Sequence, residues 1–227
     1  MAERPGDGAA GAPAPRPRPC AVDAALRAEF PQLALVAIAL PVGRLGRSPA
    51  GVRRRLDALA DRFRGAEALV LRQRPVPHAY RVFFRHVGLD PDATPVPLEA
   101  AAVQRLVQGG WPSRGLLHDA RTIALVETGV PVWALDAQRL VGDLRLRLSA
   151  DGDRLGRDAA AAPLPPGRIV VADDAGPVAV LFDEVAPGHA VTRRTRALVL
   201  YAIAVPGVEA IRADEALATC ADVLRGG

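Results

Sequence analysis

One stretch, residues 114–147, constrains the fold most because a helix, a strand and a turn follow one another in it. Apolar residues recur at the helical period and a Gly-Val-Pro sequence then stops the pattern, so a helix is predicted over 117–128. The apolar run 132–135 predicts a buried strand that Asp136 ends. Leucines alternate with arginines over 144–148, which predicts a strand with one buried face.

The rest of the chain continues this alternation of helices and strands. Further helices are predicted over 21–29, 48–64, 77–87, 99–107 and 213–224, and further strands over 33–40, 169–172, 178–182 and 197–205. In the helix 77–87 we expect Val82 to face inward and Arg81 to face outward. The Ala- and Pro-rich stretch 159–167 predicts a surface loop. Together these elements predict an α/β (α+β) fold with a central mixed β-sheet flanked by helices.

The domain organisation follows from composition. Residues 1–19 are rich in Pro, Gly and Ala and predict a disordered tail, and residues 20–227 predict one domain. No run of 18 apolar residues occurs, so we expect a cytoplasmic protein without a membrane partner. Whether residues 20–72 form a lobe of their own, and the oligomeric state, stay open.

Residue usage excludes several classes of chemistry. All 29 basic residues are arginine, so there is no phosphate-loop lysine and no lysine for a Schiff base. None of the three serines lies in a G-x-S-x-G turn. Cys20 and Cys220 follow no disulfide pattern, and the four histidines lack metal-ligand spacing. We therefore expect reduced thiols, no metal and no cofactor.

The charge balance is compatible with a polyanionic partner. The net charge is +4 and the sequence pI is about 10.0, and arginine pairs bidentately with phosphate. The candidates for RNA-phosphate contacts are Arg72, Arg74, Arg81, Arg85 and Arg114, and the runs 53–55 and 193–194 are additional ones. The alternative is that each cluster is a solvated surface.

Several motifs in a fixed order carry a family resemblance. They are AYRVFFRHVGLDPD (79–92), GVPVWALD (129–136), GDLRLR (142–147), PGRIVVADDAG (166–176) and VTRRT (191–195). Residues 74–206 resemble in this way the B3/B4 domain of the phenylalanyl-tRNA synthetase β subunit, particularly its free-standing bacterial relatives. The resemblance implies an α/β fold and a pocket that receives the misacylated 3′ end of tRNA. In that family's pocket, the resemblance implies, water hydrolyses the wrong aminoacyl ester without a protein nucleophile.

The chain also departs from that family. Trp133 stands where the family has a pocket histidine, Gly115 and Thr122 stand where it has asparagines, and Tyr201 or an apolar neighbour replaces a glutamate. Two functions follow. The first is a free-standing tRNA-binding protein that acts as a trans-editing aminoacyl-tRNA deacylase. The alternative is a non-catalytic small-molecule or protein-binding module that kept the fold, and which tRNA or amino acid is involved stays open.

The matched segments supply candidate pocket residues but no assigned catalytic residue. The candidates are His118, Asp119, Thr122, Trp133, Asp136, Asp173, Asp174, Thr192 and Thr195. His118 is either an acid or base or a structural residue. Asp119 either orients a neighbour or caps the helix, and Trp133 either stacks on a ring or packs in the core. The three later aspartates are candidate polar groups of the site, and their alternative role is to form turns.

Overall fold

The structure is a computed structural model that describes residues 15–63, 70–158, 161–183 and 185–226. Its helices in these ranges are α1 (Ala24–Glu29), α2 (Ala50–Arg62), α3 (Pro75–His86), α4 (Pro97–Gln108), α5 (Leu116–Thr128) and α6 (Ala210–Arg225). Its strands are β1 (Arg18–Val22), β2 (Ala34–Pro41), β3 (Val132–Asp136), β4 (Arg145–Leu148), β5 (Arg154–Leu155), β6 (Ala162–Pro163), β7 (Ile169–Asp173), β8 (Gly176–Val180) and β9 (Ala197–Ala204). The predicted α+β class is confirmed.

Seven strands form one mixed sheet in the order β3-β9-β2-β1-β4-β7-β8. β1 runs parallel to β4, and the other neighbours are antiparallel. The longest pairing joins β2 to β9 from Ala34 opposite Ala204 to Pro41 opposite Ala197. β1 and β2 lie in the middle of this sheet, so the described residues 18–41 share one sheet with the later strands.

The two edges of the sheet approach each other through aromatic side chains. Phe182 follows the edge strand β8, and its ring centroid lies 5.6 Å from that of Trp133 in the opposite edge strand β3. Phe182 also contacts Tyr80, Phe83 and Phe84 of α3. Its φ of 57° lies in the left-handed region, which a bulky residue adopts only when its surroundings hold it there. The curled sheet therefore closes around an aromatic cluster.

Helices cover the apolar part of the sheet. α6 packs against β2, β3 and β9, and α5 packs against α6, α2 and α4. Leu35, Leu200 and Ile123 in this layer are inaccessible to solvent. Tyr80 of α3 donates its hydroxyl hydrogen to the carbonyl oxygen of Ile203 at 2.6 Å, which joins α3 to the end of β9.

Four local predictions were wrong. The segment predicted as one helix, 21–29, contains the end of β1 before α1 begins at Ala24. The predicted loop 159–167 contains β6, which pairs with β5. The strand predicted over 178–182 ends at Val180. In α3 the guanidinium of Arg81 is buried because it forms ion pairs there, whereas Val82 is 37% exposed.

Residues 1–14 of the predicted tail lie outside the described residues. The prediction of disorder is wrong for Arg18 and Pro19, because β2 pairs with them and they begin β1. In the part of the chain that the structure describes, no helix combines the length and the apolar character needed to cross a bilayer.

Candidate functional site

The start of α5 is held against the loop that precedes α2. Gly115 caps the helix with a φ of 118°, a backbone conformation that favours glycine. A Cβ at this position would lie 3.2 Å from the carbonyl oxygen of Gly46, and the N–H of Leu116 donates to that oxygen at 2.9 Å. Two loops that are distant in sequence are thereby fixed side by side.

Asp119, in the first turn of α5, joins the same two loops by its carboxylate. Ser48 donates to Oδ2 at 2.5 Å, Ser113 donates to the same oxygen, and the backbone N–H of Arg114 donates to Oδ1 at 2.9 Å. Complete burial alone raises the pKa of Asp119, but the hydrogen bonds outweigh it and the pKa lies below its ordinary value. The buried, charged carboxylate of Asp119 therefore holds together the loop before α2 and the loop before α5.

A cleft with many arginines opens beside these loops. Its cavity measures about 1040 Å³, and the arginines that line it, here called the arginine cleft, are Arg44, Arg47, Arg53, Arg114, Arg193 and Arg196. All six are exposed. No carboxylate lines the cleft, and within the described ranges none of the six is paired with Asp or Glu. The cleft is therefore a concentration of uncompensated positive charge.

The far wall of the arginine cleft is the loop before β9. Thr195 donates its hydroxyl hydrogen to Oδ2 of Asp136 at 2.6 Å and accepts from the N–H of Thr192 at 3.0 Å. Oδ1 of Asp136 accepts from the N–H of Gln138. Asp136 and Thr195 are buried, and Thr192 lines the cleft. The predicted residues Asp136 and Thr195 thus hold the loop in place, and the predicted residue Thr192 lies at the cleft surface.

A smaller cavity of about 290 Å³, here called the aromatic cavity, lies between α4, α5 and β3. Trp133 and Phe182 line it, together with Thr122 and Arg121. Trp133 stacks on Tyr201, which is opposite it in β9, with ring centroids 5.6 Å apart and planes 14° apart. The indole of Trp133 is therefore part of a cavity wall.

His118 connects the two cavities, since it lines both. Its side chain is 41% exposed, and its Nδ1 lies 3.3 Å from Oδ1 of Asp119. When Nδ1 carries the hydrogen and donates it to this carboxylate, Nε2 is a proton acceptor. The predicted pocket residues His118, Thr122 and Trp133 are thus brought together.

Asp173 and Asp174 line neither cavity. Asp173 accepts from the N–H of Val141 at 2.8 Å and forms an ion pair with Arg157, and Asp174 forms one with Arg145. Burial raises the pKa of Asp173, but the hydrogen bonds from Val141 and Arg157 outweigh it and lower the pKa overall. These two aspartates organise the turn between β7 and β8 and the loop after β3.

Most of the arginines predicted to contact phosphate lie away from the arginine cleft. Arg81 forms ion pairs with Asp92 at 2.6 Å and with Glu99 at 2.9 Å. Arg72 lies 3.4 Å from Glu99, and Arg85 lies 3.7 Å from Asp92. Two carboxylates thus offset much of the positive charge there. Among the five predicted arginines, Arg114 lines the cleft, while Arg74 directly precedes α3.

Sequence reasoning missed part of the arginine cleft. The runs 53–55 and 193–194 indicated Arg53 and Arg193, but Arg44, Arg47 and Arg196 belong to loops that carry no local signal for a site. Arg121 was also not predicted as a cavity residue. Within the described ranges no group of three or more His, Cys, Asp or Glu side chains is placed to hold a metal ion.

Comparison of the chain with models of known protein families gave no match, and comparison with curated proteins gave no significant match. The motifs that resemble the B3/B4 domain are therefore a resemblance of sequence pattern alone. The features of the described residues that bear on function are the arginine cleft, the aromatic cavity and the histidine between them.

Proposed function

We propose that this protein binds RNA through the arginine cleft, with tRNA as the partner that the B3/B4 resemblance implies. One observation carries the proposal: six arginines converge on one cleft in which no carboxylate offsets them. Like charges held together repel each other, and a polyanion relieves that repulsion. Guanidinium groups also match the geometry of phosphate oxygens. The proposal implies a cytoplasmic protein.

The size of the cleft fits a nucleic-acid strand better than a single anion. A cavity of about 1040 Å³ exceeds what one phosphate needs, and its arginines come from three separate parts of the chain. If all six contact phosphates, the logarithm of the affinity falls with the logarithm of salt concentration with a slope of about −4 to −5. A surface without organised charge gives a much shallower slope.

Binding of charged and uncharged tRNA across a salt series tests the proposal. Arg114→Gln removes a cleft arginine and is expected to weaken binding and to make the slope shallower by about 1. Arg72→Gln removes the same charge from a guanidinium near Asp92 and Glu99 and serves as the matched control. Absence of binding at low ionic strength, or equal losses in the two variants, contradicts the proposal.

Ester hydrolysis is a second candidate function, and the position of His118 favours it. His118 lies at the junction of the two cavities, and Asp119 is close enough to orient its ring. In the proposed step, water attacks the ester carbonyl carbon while Nε2 of His118 accepts a proton from it. The bond to the ribose oxygen then breaks and that oxygen takes the proton, which releases the amino acid and uncharged tRNA.

Incubation with a panel of misacylated tRNAs tests the hydrolysis. The protein is expected to release amino acid faster than the spontaneous rate, and His118→Gln is expected to lower that rate by about 10²-fold or more. His78→Gln, which changes an exposed histidine on α3, is the matched control. Binding of tRNA without any hydrolysis would leave the non-catalytic binding module as the function.

A further inference from the structure

The aromatic cavity contains a cation with no counter-ion. Arg121 lines the cavity, and its Nε–H donates to the carbonyl oxygen of Val132 at 2.6 Å. Its two terminal nitrogens have no acceptor among the residues that the structure describes, and no carboxylate lines the cavity. Burial lowers the pKa of Arg121. Arg121 is half-buried, so its guanidinium has lost part of its hydration without gaining an anion, and an incoming anion offsets that cost.

The walls beside Arg121 are aromatic. Trp133 is 8% exposed and stacks on Tyr201. The ring centroid of Phe182 lies 5.6 Å from that of Trp133. The indole N–H of Trp133 is not among the buried polar atoms without a partner in the described part of the chain, so it is open to a ligand or water in the cavity that Trp133 lines. The cavity therefore combines flat apolar walls with hydrogen-bond donors that lack protein acceptors.

We propose that the aromatic cavity binds a small aromatic carboxylate, with its ring against Trp133 and Phe182 and its carboxylate on Arg121. A volume of about 290 Å³ suits a ligand with one or two rings. Neither a neutral amide nor an amine satisfies Arg121 in the same way, because the amide carries no charge and the amine is a cation. This site goes beyond RNA binding, which uses the arginine cleft, and the hydrolysis step, which uses His118.

Three probes that differ in their head group alone test the chemistry. Phenylacetate, phenylacetamide and phenethylamine share the phenyl ring and a two-carbon side chain, which ends in an acid, an amide and an ammonium group. Calorimetry on the whole protein is expected to give at least about tenfold tighter binding for the acid than for the amide, and the weakest binding for the amine. Equal affinities for acid and amide, stronger binding of the amine, or no binding of phenylacetate at millimolar concentration overturns the proposal.

Fluorescence places the ligand in the cavity. The chain has two tryptophans, and Trp111 packs elsewhere, on Phe63, with its N–H donated to the carbonyl oxygen of Ala101. In Trp111→Phe the emission comes from Trp133 alone, so phenylacetate is expected to change its intensity with the calorimetric affinity. An unchanged emission while heat is released assigns the ligand to another site and overturns the proposal.

Two variants separate the charge from the ring walls. Arg121→Gln is expected to bring the ratio of acid to amide affinities close to one, whereas Arg27→Gln, an exposed arginine of α1, leaves it unchanged. Phe182→Leu keeps the guanidinium and is expected to weaken both probes while the ratio persists. If Arg121→Gln fails to fold, the ratios in the unmodified protein and in Phe182→Leu still decide, because a ratio near one in either contradicts the proposal.

Discussion

Replacing Asp119 by asparagine tests how the loops of the site are held together. The two side chains have nearly the same shape, so the change removes the charge and one acceptor oxygen without opening a cavity. In the native protein Oδ2 accepts from the hydroxyls of Ser48 and Ser113, and Oδ1 accepts from the N–H of Arg114. The substitution therefore addresses one buried cluster that joins the start of α5 to the loop before α2.

The expected loss follows from these contacts. Hydrogen bonds to a charged acceptor contribute about 1.5–3 kcal/mol each when one partner is removed. In Asp119→Asn the carbonyl oxygen keeps the N–H of Arg114, while the amide nitrogen faces two hydroxyls that rotate to accept from it. The charge assistance is lost for both serines, so we expect the free energy of unfolding to fall by about 2–3 kcal/mol.

The stability lost in Asp119→Asn should become smaller as the pH falls. Hydrogen bonds hold the folded pKa of Asp119 below its ordinary value, although burial opposes them. A depressed pKa means that the stabilisation is fully present above the unfolded value of about 3.9 and disappears as pH falls through the folded value. The difference between Asp119 and Asp119→Asn should therefore be constant from neutral pH to about pH 5 and shrink below about pH 4.

Urea unfolding at neutral and acid pH measures both effects. Asp57→Asn, which changes an exposed carboxylate on α2, is the control and should alter the unfolding free energy by less than about 0.5 kcal/mol. A loss below about 1 kcal/mol for Asp119→Asn at neutral pH would refute the reasoning from hydrogen bonds. An undiminished loss at acid pH would refute the reasoning from the pKa.

Three other substitutions test the fold by urea or thermal unfolding. Tyr80→Phe removes the hydroxyl that donates to Ile203 and should cost about 1 kcal/mol, and no loss would contradict the importance of that bond. Arg81→Met leaves the buried carboxylate of Glu99 without its main partner and should cost about 3 kcal/mol, so a stabilised variant would contradict the ion pair's role. Gly142→Ala should cost about 1–2 kcal/mol, because its φ is 68° and residues with a Cβ are unfavourable in this left-handed region; an unchanged Tm would contradict this.

Elements with strong local signals were predictable from the sequence. The helical period of α5 ends at Gly129, whose φ of 80° caps the helix, and Pro131 prevents its continuation. The hairpin of β7 and β8 turns at Asp173, whose side chain accepts from two backbone N–H groups within three residues. In both cases the determining contacts lie within a few residues, where pattern reasoning is effective.

Features that depend on distant partners were not predictable. β1 forms because β2 and β4 provide hydrogen bonds on its two sides, and its own sequence RPCAV reads as the end of a tail. Arg81 is buried because Glu99 of the next helix neutralises it, which a helical period cannot indicate. Placement in space, rather than local propensity, decided both outcomes.

The site was predictable to the extent that its residues lie close in sequence. His118 and Thr122 are one helical turn apart on α5, and Trp133 lies in the strand that follows, so the aromatic cavity could be anticipated. The arginine cleft draws on loops separated by more than a hundred residues, such as those of Arg47 and Arg193. No pattern in the sequence joins these loops. The loop before α2 reaches the start of α5 only in the folded protein, where the hydrogen bonds of Asp119 hold the two together.

The central position of β2 has a consequence for synthesis in the cell. Its partner β9 enters the sheet with Ala34 opposite Ala204, so this pairing waits until the ribosome has added some 170 further residues. At about 5–20 residues per second that interval lasts roughly 10–30 s. During it the apolar strand ALVAIALP has one unpaired edge, a template for pairing with other chains. The nascent protein therefore depends on protection of this edge until β9 emerges and completes the sheet.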